Sequence, residues 1–318
     1  MSSPFESSTS PDQLYQQEEP TVIKIKVPAT SANVGAGFDA LGLALAYYNT
    51  VSMELSNDIS ITTTDGTVVP RGPSNLVYKT VKYVFDQMGE KLPGLNIIQE
   101  NAIPIARGLG SSSTCIVAGI LGADALLGHR LTKRQMLTMA TAIEGHPDNV
   151  APAMLGGFVA SAYDEGQIYS VKKDISDDLA FAAFIPDFQT FTEKSRAALP
   201  NDLTRRDAVF NLQRVAVATA AFCDGNYELL RVATKDKLHQ QYRLPLIPGG
   251  EKIFELAQEL SAYGVYLSGA GPTIIAVVHR DNAIFFEKAA RILPLDEETV
   301  HFTLRRFEAD NVGAVLVH

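Results

Sequence analysis

Residues 104–114 read Pro-Ile-Ala-Arg-Gly-Leu-Gly-Ser-Ser-Ser-Thr, and an apolar, small-residue helix is predicted to follow from Cys115 to Leu127. Gly108 and Gly110 permit backbone angles and a closeness of approach that a Cβ would block. Ser111, Ser112, Ser113 and Thr114 set hydroxyls over the unpaired N–H groups of a helix's first turn. Such an end favours negative charge, so phosphate is its natural ligand. The stretch is not a Walker A loop, because no Gly-Lys-Ser/Thr follows the glycines, and it is not a dinucleotide fingerprint, because Gly-x-Gly-x-x-Gly is absent. Countercharge must come from elsewhere in the chain. Taken alone, the same residues fit a Gly/Ser turn with an N-cap serine equally well.

Upstream, Leu95–Ile98 reads as the strand that delivers the chain to this loop. Before it, Ser74 is a candidate N-cap for a helix with an apolar face of Val77, Val81, Val84, Phe85 and Met88, closed by Gly89. The first strand is Val22–Val27, with Lys24 and Lys26 alternating against apolar residues and Pro28 ending it. Ala29–Asp39 is then a loop of small residues, where Asn33 and Asp39 hold an amide and a carboxylate near Gly35 and Gly37, or serve as plain turn residues. The apolar stretch Ala40–Tyr48 and strands at Val51–Leu55 and Ile59–Thr63 follow it.

Downstream, Thr132-Lys133-Arg134-Gln135 fits a capping box for a helix that ends at Glu144-Gly145. A carboxylate in a last helical turn faces the negative end of the dipole, which suggests a cation nearby, Mg²⁺ with phosphate being the obvious one, although a solvated surface Glu that tolerates the small penalty is the more frequent case. His146–Pro152 reads as a polar turn, and Gly156-Gly157-Phe158 leads into a strand. The second half is predicted to hold a strand at Phe181–Ile185, a helix from Arg205 to Phe222, and a helix from Glu251 to Ala262. A glycine loop at Ser268–Thr273, a strand at Ile274–Val278, a helix at Asn282–Ile292 and strands at His301–Leu304 and Gly313–Val317 complete it. Strands and helices mix without a regular βα repeat, which favours α+β.

At 318 residues the chain is long enough for two domains. A net charge of −9 with no long Lys/Arg run argues against a nucleic-acid or anionic-membrane surface. The two cysteines, Cys115 and Cys223, form neither a disulfide framework nor a metal cluster. No apolar run is long enough to span a bilayer and no signal-peptide pattern opens the chain, so a cytoplasmic protein is expected. Residues 1–20 are Ser-, Gln-, Glu- and Pro-rich and are expected to be a disordered tail.

In this order, Pro28–Asp39, Pro104–Thr114 and Ser268–Thr273 resemble the three signature motifs of the GHMP kinases. Within that superfamily, Val27–Asp39 and Glu144–Pro152 are similar to the homoserine kinase form, and Thr192–Arg196 and His239–Gly249 are similar to its stretches that line an amino-acid pocket. The resemblance covers residues 22–318. Val34 and Ala36 stand where Leu and Pro are usual, and Thr114-Cys115 where smaller residues often follow the serines.

The resemblance implies a two-domain α+β fold. A ribosomal-protein-like, ATP-binding domain would span residues 21–172 and a ferredoxin-like domain residues 173–318. It implies transfer of the γ-phosphoryl group of ATP to the hydroxyl of L-homoserine, giving O-phospho-L-homoserine on the way to threonine, by a homodimer. Pro104, Ile105, Ala106, Arg107, Gly108, Leu109, Gly110, Ser111, Ser112, Ser113 and Thr114 would bind ATP, with Ser112 and Glu144 holding Mg²⁺. Arg196 and Arg243 would take the substrate carboxylate, a task suited to the guanidinium fork. Asp39 and Asn33 would take its ammonium, Asn149 would sit beside the attacking hydroxyl, and Thr192, Gly269 and Gly271 would complete the pocket. Asn149, Asp39 and Asn33 are the catalytic candidates. A mevalonate or sugar kinase and a silent ligand-binding protein of the same fold are the competing readings; mevalonate, for one, has no ammonium for Asp39.

Overall fold

The computed structural model describes residues 22–190 and 192–317, and the side chains of residues 192–194 lie outside it. The tail expected over residues 1–20 and the Thr192 side chain therefore fall outside the described residues. In chain order the first half holds β1 (Ile23–Ala32), β2 (Leu41–Leu55), β3 (Ile59–Thr63), α1 (Leu76–Gln87), β4 (Leu95–Asn101), α2 (Ser111–Leu126), α3 (Lys133–Glu144), α4 (Pro147–Leu155), β5 (Phe158–Asp164) and β6 (Gln167–Lys173). The second half holds β7 (Leu179–Pro186), α5 (Thr192–Ala197), α6 (Arg205–Asp224), α7 (Leu230–Ala233), α8 (Gln240–Arg243), α9 (Gly250–Glu259), β8 (Gly264–Leu267), β9 (Ile274–His279), α10 (Ala283–Ile292), β10 (Phe302–Phe307) and β11 (Val315–Val317).

The first sheet runs β11-β1-β2-β4-β3, with β5 on β2 and β6 on β5. Helices α1 to α4 cover it, and the apolar faces meet in a core that includes Ile25, Val81, Ile116 and Val150. The second sheet runs β10-β7-β9-β8 in a βαββαβ succession, the ferredoxin-like pattern. Its core includes Phe184, Ile253 and Phe285. A further cluster joins the halves, bringing Leu43 and Phe158 of the first sheet against Phe181 and Tyr266 of the second and Phe222 of α6. The Phe158 and Phe222 rings stack there at 4.3 Å. The last strand, β11, returns to pair with β1, Lys26 opposite Val315.

Several local expectations are corrected. Pro28 does not end β1; a register shift at Pro28/Ala29 absorbs the missing N–H and the strand runs on to Ala32. Ala40–Tyr48 is not separate from the Val51–Leu55 strand, because Leu41–Leu55 is one strand with β1, β4 and β5 as partners. The cap of α1 is Asn75, not Ser74, its Oδ1 accepting from the Val77 and Tyr78 N–H groups while its Nδ2 donates to Gln99 and the Pro70 carbonyl. His146–Pro152 is not a turn but the start of α4, with Pro147 at the first position and Asp148 in the first turn. Strand β6 was not expected, and it pairs with β5 along its length. The Thr132–Gln135 capping box forms as expected.

Candidate active site

The N-cap of α2 is Gly110, in the left-handed region at φ 71°, with no side chain capping the turn among the described residues. The first helical bond runs from the Thr114 N–H to the Gly110 carbonyl, which leaves the N–H groups of Ser111, Ser112 and Ser113 outside the helical ladder. This is the exposed donor set that an anion needs. The loop before it is held by backbone on both sides: Thr30 N–H donates to the Leu109 carbonyl and Thr273 N–H to the Arg107 carbonyl, each at 3.2 Å. The Ser268 hydroxyl donates to the Gly108 carbonyl at 2.5 Å and lies 2.7 Å from the Ser31 hydroxyl. The glycine of closest approach is Gly108, at φ 77°, where a Cβ would stand 2.5 Å from the Ser268 carbonyl oxygen. Three separated glycine loops thus lock on one another at one point.

Glu144, the last residue of α3, reaches across to this helix end. Its carboxylate accepts from the Ser113 hydroxyl at 2.8 Å and from Ser112 at 3.4 Å. Ser113 is therefore the nearer of the two serines. Burial lifts the Glu144 pKa above the ordinary carboxylate range, against the pull of the Ser113 hydrogen bond. A half-buried carboxylate with two hydroxyls beside an open helix N-terminus is a hard-oxygen donor set, and it fits Mg²⁺.

Asn149 on α4 faces the same space. Thr30 donates its hydroxyl to Asn149 Oδ1 at 2.7 Å, and among the described residues Nδ2 has no protein acceptor. One turn earlier His146 pairs through Nδ1 with Asp148, a carboxylate only 2 % exposed. Burial opposes charge on His146, but Asp148, Asp39 and Glu144 together outweigh it and its pKa is raised.

The far end of the cavity is built from side chains. Arg196 of α5 grips Asp39 with both guanidinium nitrogens, at 2.7 and 3.2 Å. Arg243 of α8 is 2 % exposed, and burial, followed by the charge of Arg196, lowers its pKa to about 10. Asn33 has both ends of its amide engaged: Nδ2 donates to the Gly269 carbonyl, and Oδ1 accepts from the Asp39 N–H, each at 3.0 Å.

One cavity of about 470 Å³ joins these parts. Asn33, Asp39, Glu144, Asn149, Arg196, Arg243, Gly269 and Gly271 line it, together with Ile105–Gly108 and Gly110–Ser113. Three residues expected at the nucleotide are not on its wall. Pro104 is absent from the lining, Leu109 packs into the shared core, and Thr114 turns inward to accept from Asn49 and donate to the Ser111 carbonyl. The Thr192 side chain is outside the described residues. Sequence reasoning passed over Thr30, His146, Asp148, Gln99 and Asn75, all close to the cavity; a proline followed by an acid, as in Pro147-Asp148, is the first-turn signal that places Asp148 in a helix and His146 at its N-cap.

The GHMP kinases N terminal domain matches residues 75–157 and the GHMP kinases C terminal domain matches residues 218–293. The chain is 42% identical over 298 residues to a homoserine kinase of Clostridium beijerinckii, covering 93% of this chain and 99% of that one. To a homoserine kinase of Caldicellulosiruptor saccharolyticus it is 43% identical over 297 residues, covering 93% and 96%. The crystal structure of a homoserine kinase from Cytophaga hutchinsonii superposes with a TM-score of 0.84 at 27% identity, over 96% of this chain and 100% of that one. A mevalonate diphosphate decarboxylase from Staphylococcus aureus, 16% identical, has a TM-score of 0.71 over 96% of this chain and all of its own, a likeness of fold alone.

Proposed function

The chain belongs to the homoserine kinases of the GHMP kinase family, ATP-dependent enzymes that phosphorylate L-homoserine to O-phospho-L-homoserine in threonine biosynthesis, and on that premise we propose how its site divides the work. The N–H groups at the start of α2 bind the phosphates of ATP, and the Gly108–Gly110 turn shapes the cradle. Glu144, with Ser113 and Ser112, holds Mg²⁺; the ion supplies charge neutralisation for the phosphates when bound. Arg243 and Arg196 receive the homoserine carboxylate, and Asp39 its ammonium, so that the zwitterion exchanges its own charges for the Arg196–Asp39 pair. Asn33 acts by fixing the Asp39 backbone and Gly269.

The transition state of phosphoryl transfer is loose, and positioning with charge stabilisation carries most of the catalysis. Asn149 Oδ1 already accepts from Thr30, and Nδ2 supplies the amide's N–H donors. It therefore orients the attacking oxygen or a phosphoryl oxygen as a donor, and a phosphate oxygen or water takes the hydroxyl proton. We also place the enzyme in the cytoplasm as a homodimer acting on no nucleic acid. The exposed Val209 and Leu212 on α6 favour self-association, and among the described residues no helix is long and apolar enough to cross a membrane.

The observation that carries this reading is the single cavity with an open helix N-terminus at one end and two arginines with a carboxylate at the other. Its test is ADP release with Mg·ATP and a panel of L-homoserine, mevalonate, galactose, shikimate and L-serine. Turnover with homoserine alone is expected; preferential turnover of mevalonate or galactose overturns the carboxylate-and-ammonium assignment.

A further inference from the structure

Arg243 is held by three acceptors. Its Nε donates to the Ser195 carbonyl at 3.3 Å, and its Nη1 donates to the Gly269 carbonyl at 3.2 Å and to His239 Nδ1 at 3.3 Å. Among the described residues Nη2 donates to no protein acceptor, and the side chain lines the cavity. The guanidinium therefore presents one edge to a ligand while its other nitrogens are fixed. Two of the three acceptors are main chain, so His239 is the one fixing group that a side-chain change removes.

His239 is itself constrained at every polar atom. It is fully buried, and its Nε2 lies 2.8 Å from the Gly35 carbonyl. A carbonyl accepts only, so Nε2 carries the proton; a guanidinium donates only, so Nδ1 must be the lone pair. The ring is thus neutral and in one tautomer. Burial, ahead of the opposing charge of Asp236, keeps its pKa below the usual histidine range. Asp236 anchors the backbone, accepting the His239 N–H at 2.8 Å and the Gln240 N–H at 2.6 Å. The Phe38 ring stacks on the imidazole at 5.3 Å between centroids and faces the Arg243 guanidinium at 5.3 Å. Gly35 and Phe38 belong to the same loop as Asp39.

We propose that His239 is a positioning residue for substrate recognition: as a neutral hydrogen-bond acceptor it aims Arg243 at the substrate carboxylate and ties that arginine to the Gly35–Asp39 loop. The inference rests on the assignment of Arg243 to the carboxylate, and the experiment separates the two. L-homoserine and aminopropanol, the same molecule without its carboxylate, are compared as substrates of the wild-type enzyme and of R243Q, H239L, H239N and H239Q. R243Q tests the underlying reading, by raising the KM for homoserine and not that for ATP. If it does so, H239L is expected to raise the homoserine KM about tenfold, in line with one hydrogen bond to a charged group. The ATP KM and the kcat/KM for aminopropanol stay within about twofold of wild type, where the weakened bond plays no part. H239N, whose Oδ1 takes the place of Nδ1, is expected to restore the low homoserine KM. H239Q, which reaches toward Gly35 but gives Arg243 no acceptor, is not. The proposal is overturned if R243Q shows the effect but H239L lowers both substrates alike, or if H239Q rescues and H239N does not. An unchanged homoserine KM in R243Q overturns the carboxylate assignment itself.

Discussion

At the proposed phosphate end of the cavity the binding groups are backbone N–H groups on the first turn of α2, whereas at the proposed amino-acid end they are side chains, the Asp39 carboxylate as acceptor and Arg196 and Arg243 as donors, from three separate stretches. Backbone donors are set by the path of the chain, so that end depends on which residues lack a side chain. Side-chain donors are set by their anchors, so the other end depends on what holds each arginine in place. The two ends should therefore fail differently under mutation: the first by addition of atoms, the second by loss of partners.

The largest effect should come from adding one methyl group. Gly108→Ala places a Cβ 2.5 Å from the Ser268 carbonyl oxygen at a positive φ. Left-handed strain and overpacking together should cost about 2 to 5 kcal/mol of stability. The melting temperature and kcat/KM should both drop, while Ser111→Ala at the same helix end should leave the melting temperature unchanged and lower kcat/KM by no more than about threefold, since its backbone N–H survives. If Ser111→Ala proves the more damaging, the phosphate end is a side-chain site and the contrast fails.

Next is Glu144→Gln. Removal of the carboxylate should raise the Mg²⁺ concentration needed for half-maximal activity by about tenfold, a loss near that of one charge-assisted contact. Because burial already disfavours the charged form, the melting temperature should hold or rise. A variant that melts lower with unchanged Mg²⁺ dependence would make Glu144 a structural partner of Ser113 instead. The smallest effect is expected at Thr30→Val. Without the hydroxyl no side chain among the described residues hydrogen-bonds the Asn149 amide, and kcat should fall about fivefold, the value of one neutral hydrogen bond, with both KM values little changed. Thr30→Ser should restore it; equal losses in both variants would mean that the methyl group, not the hydroxyl, is what Asn149 requires.

The same contrast explains what could be read before the structure. The 104–114 loop and the Thr132 capping box are local: glycines, serines and a helix start lie within a few residues of each other, and their geometry follows from short-range rules. Most helices followed from apolar periodicity, and the α+β class from the lack of a regular βα repeat. Pro28, by contrast, looks like a strand end because the bulge that accommodates it depends on pairing with β2. His146–Pro152 looks like a turn because it carries two prolines and an Asp-Asn pair, and its helical form is stabilised by packing against β1, β2 and α3. His239 is separated by 204 residues from the carbonyl that fixes its tautomer, and no local pattern reports that. Thr114 shows the opposite error: it shares a motif with the serines, yet one further step around the helix turns it into the core.

The return of β11 to the edge of β1 has a consequence for synthesis. The strand that carries Thr30 and Ser31 has β2 on one side from early in the chain, but among the described residues the strand that pairs with its other side, at Lys24–Lys26, is β11. As the chain leaves the ribosome, that edge stays open until residues 315–317 have been made. An open strand edge is a template for mispairing with another chain. The first sheet is thus the first to begin and among the last to be sealed, and premature termination anywhere in the second half would release a nascent protein with that edge uncovered.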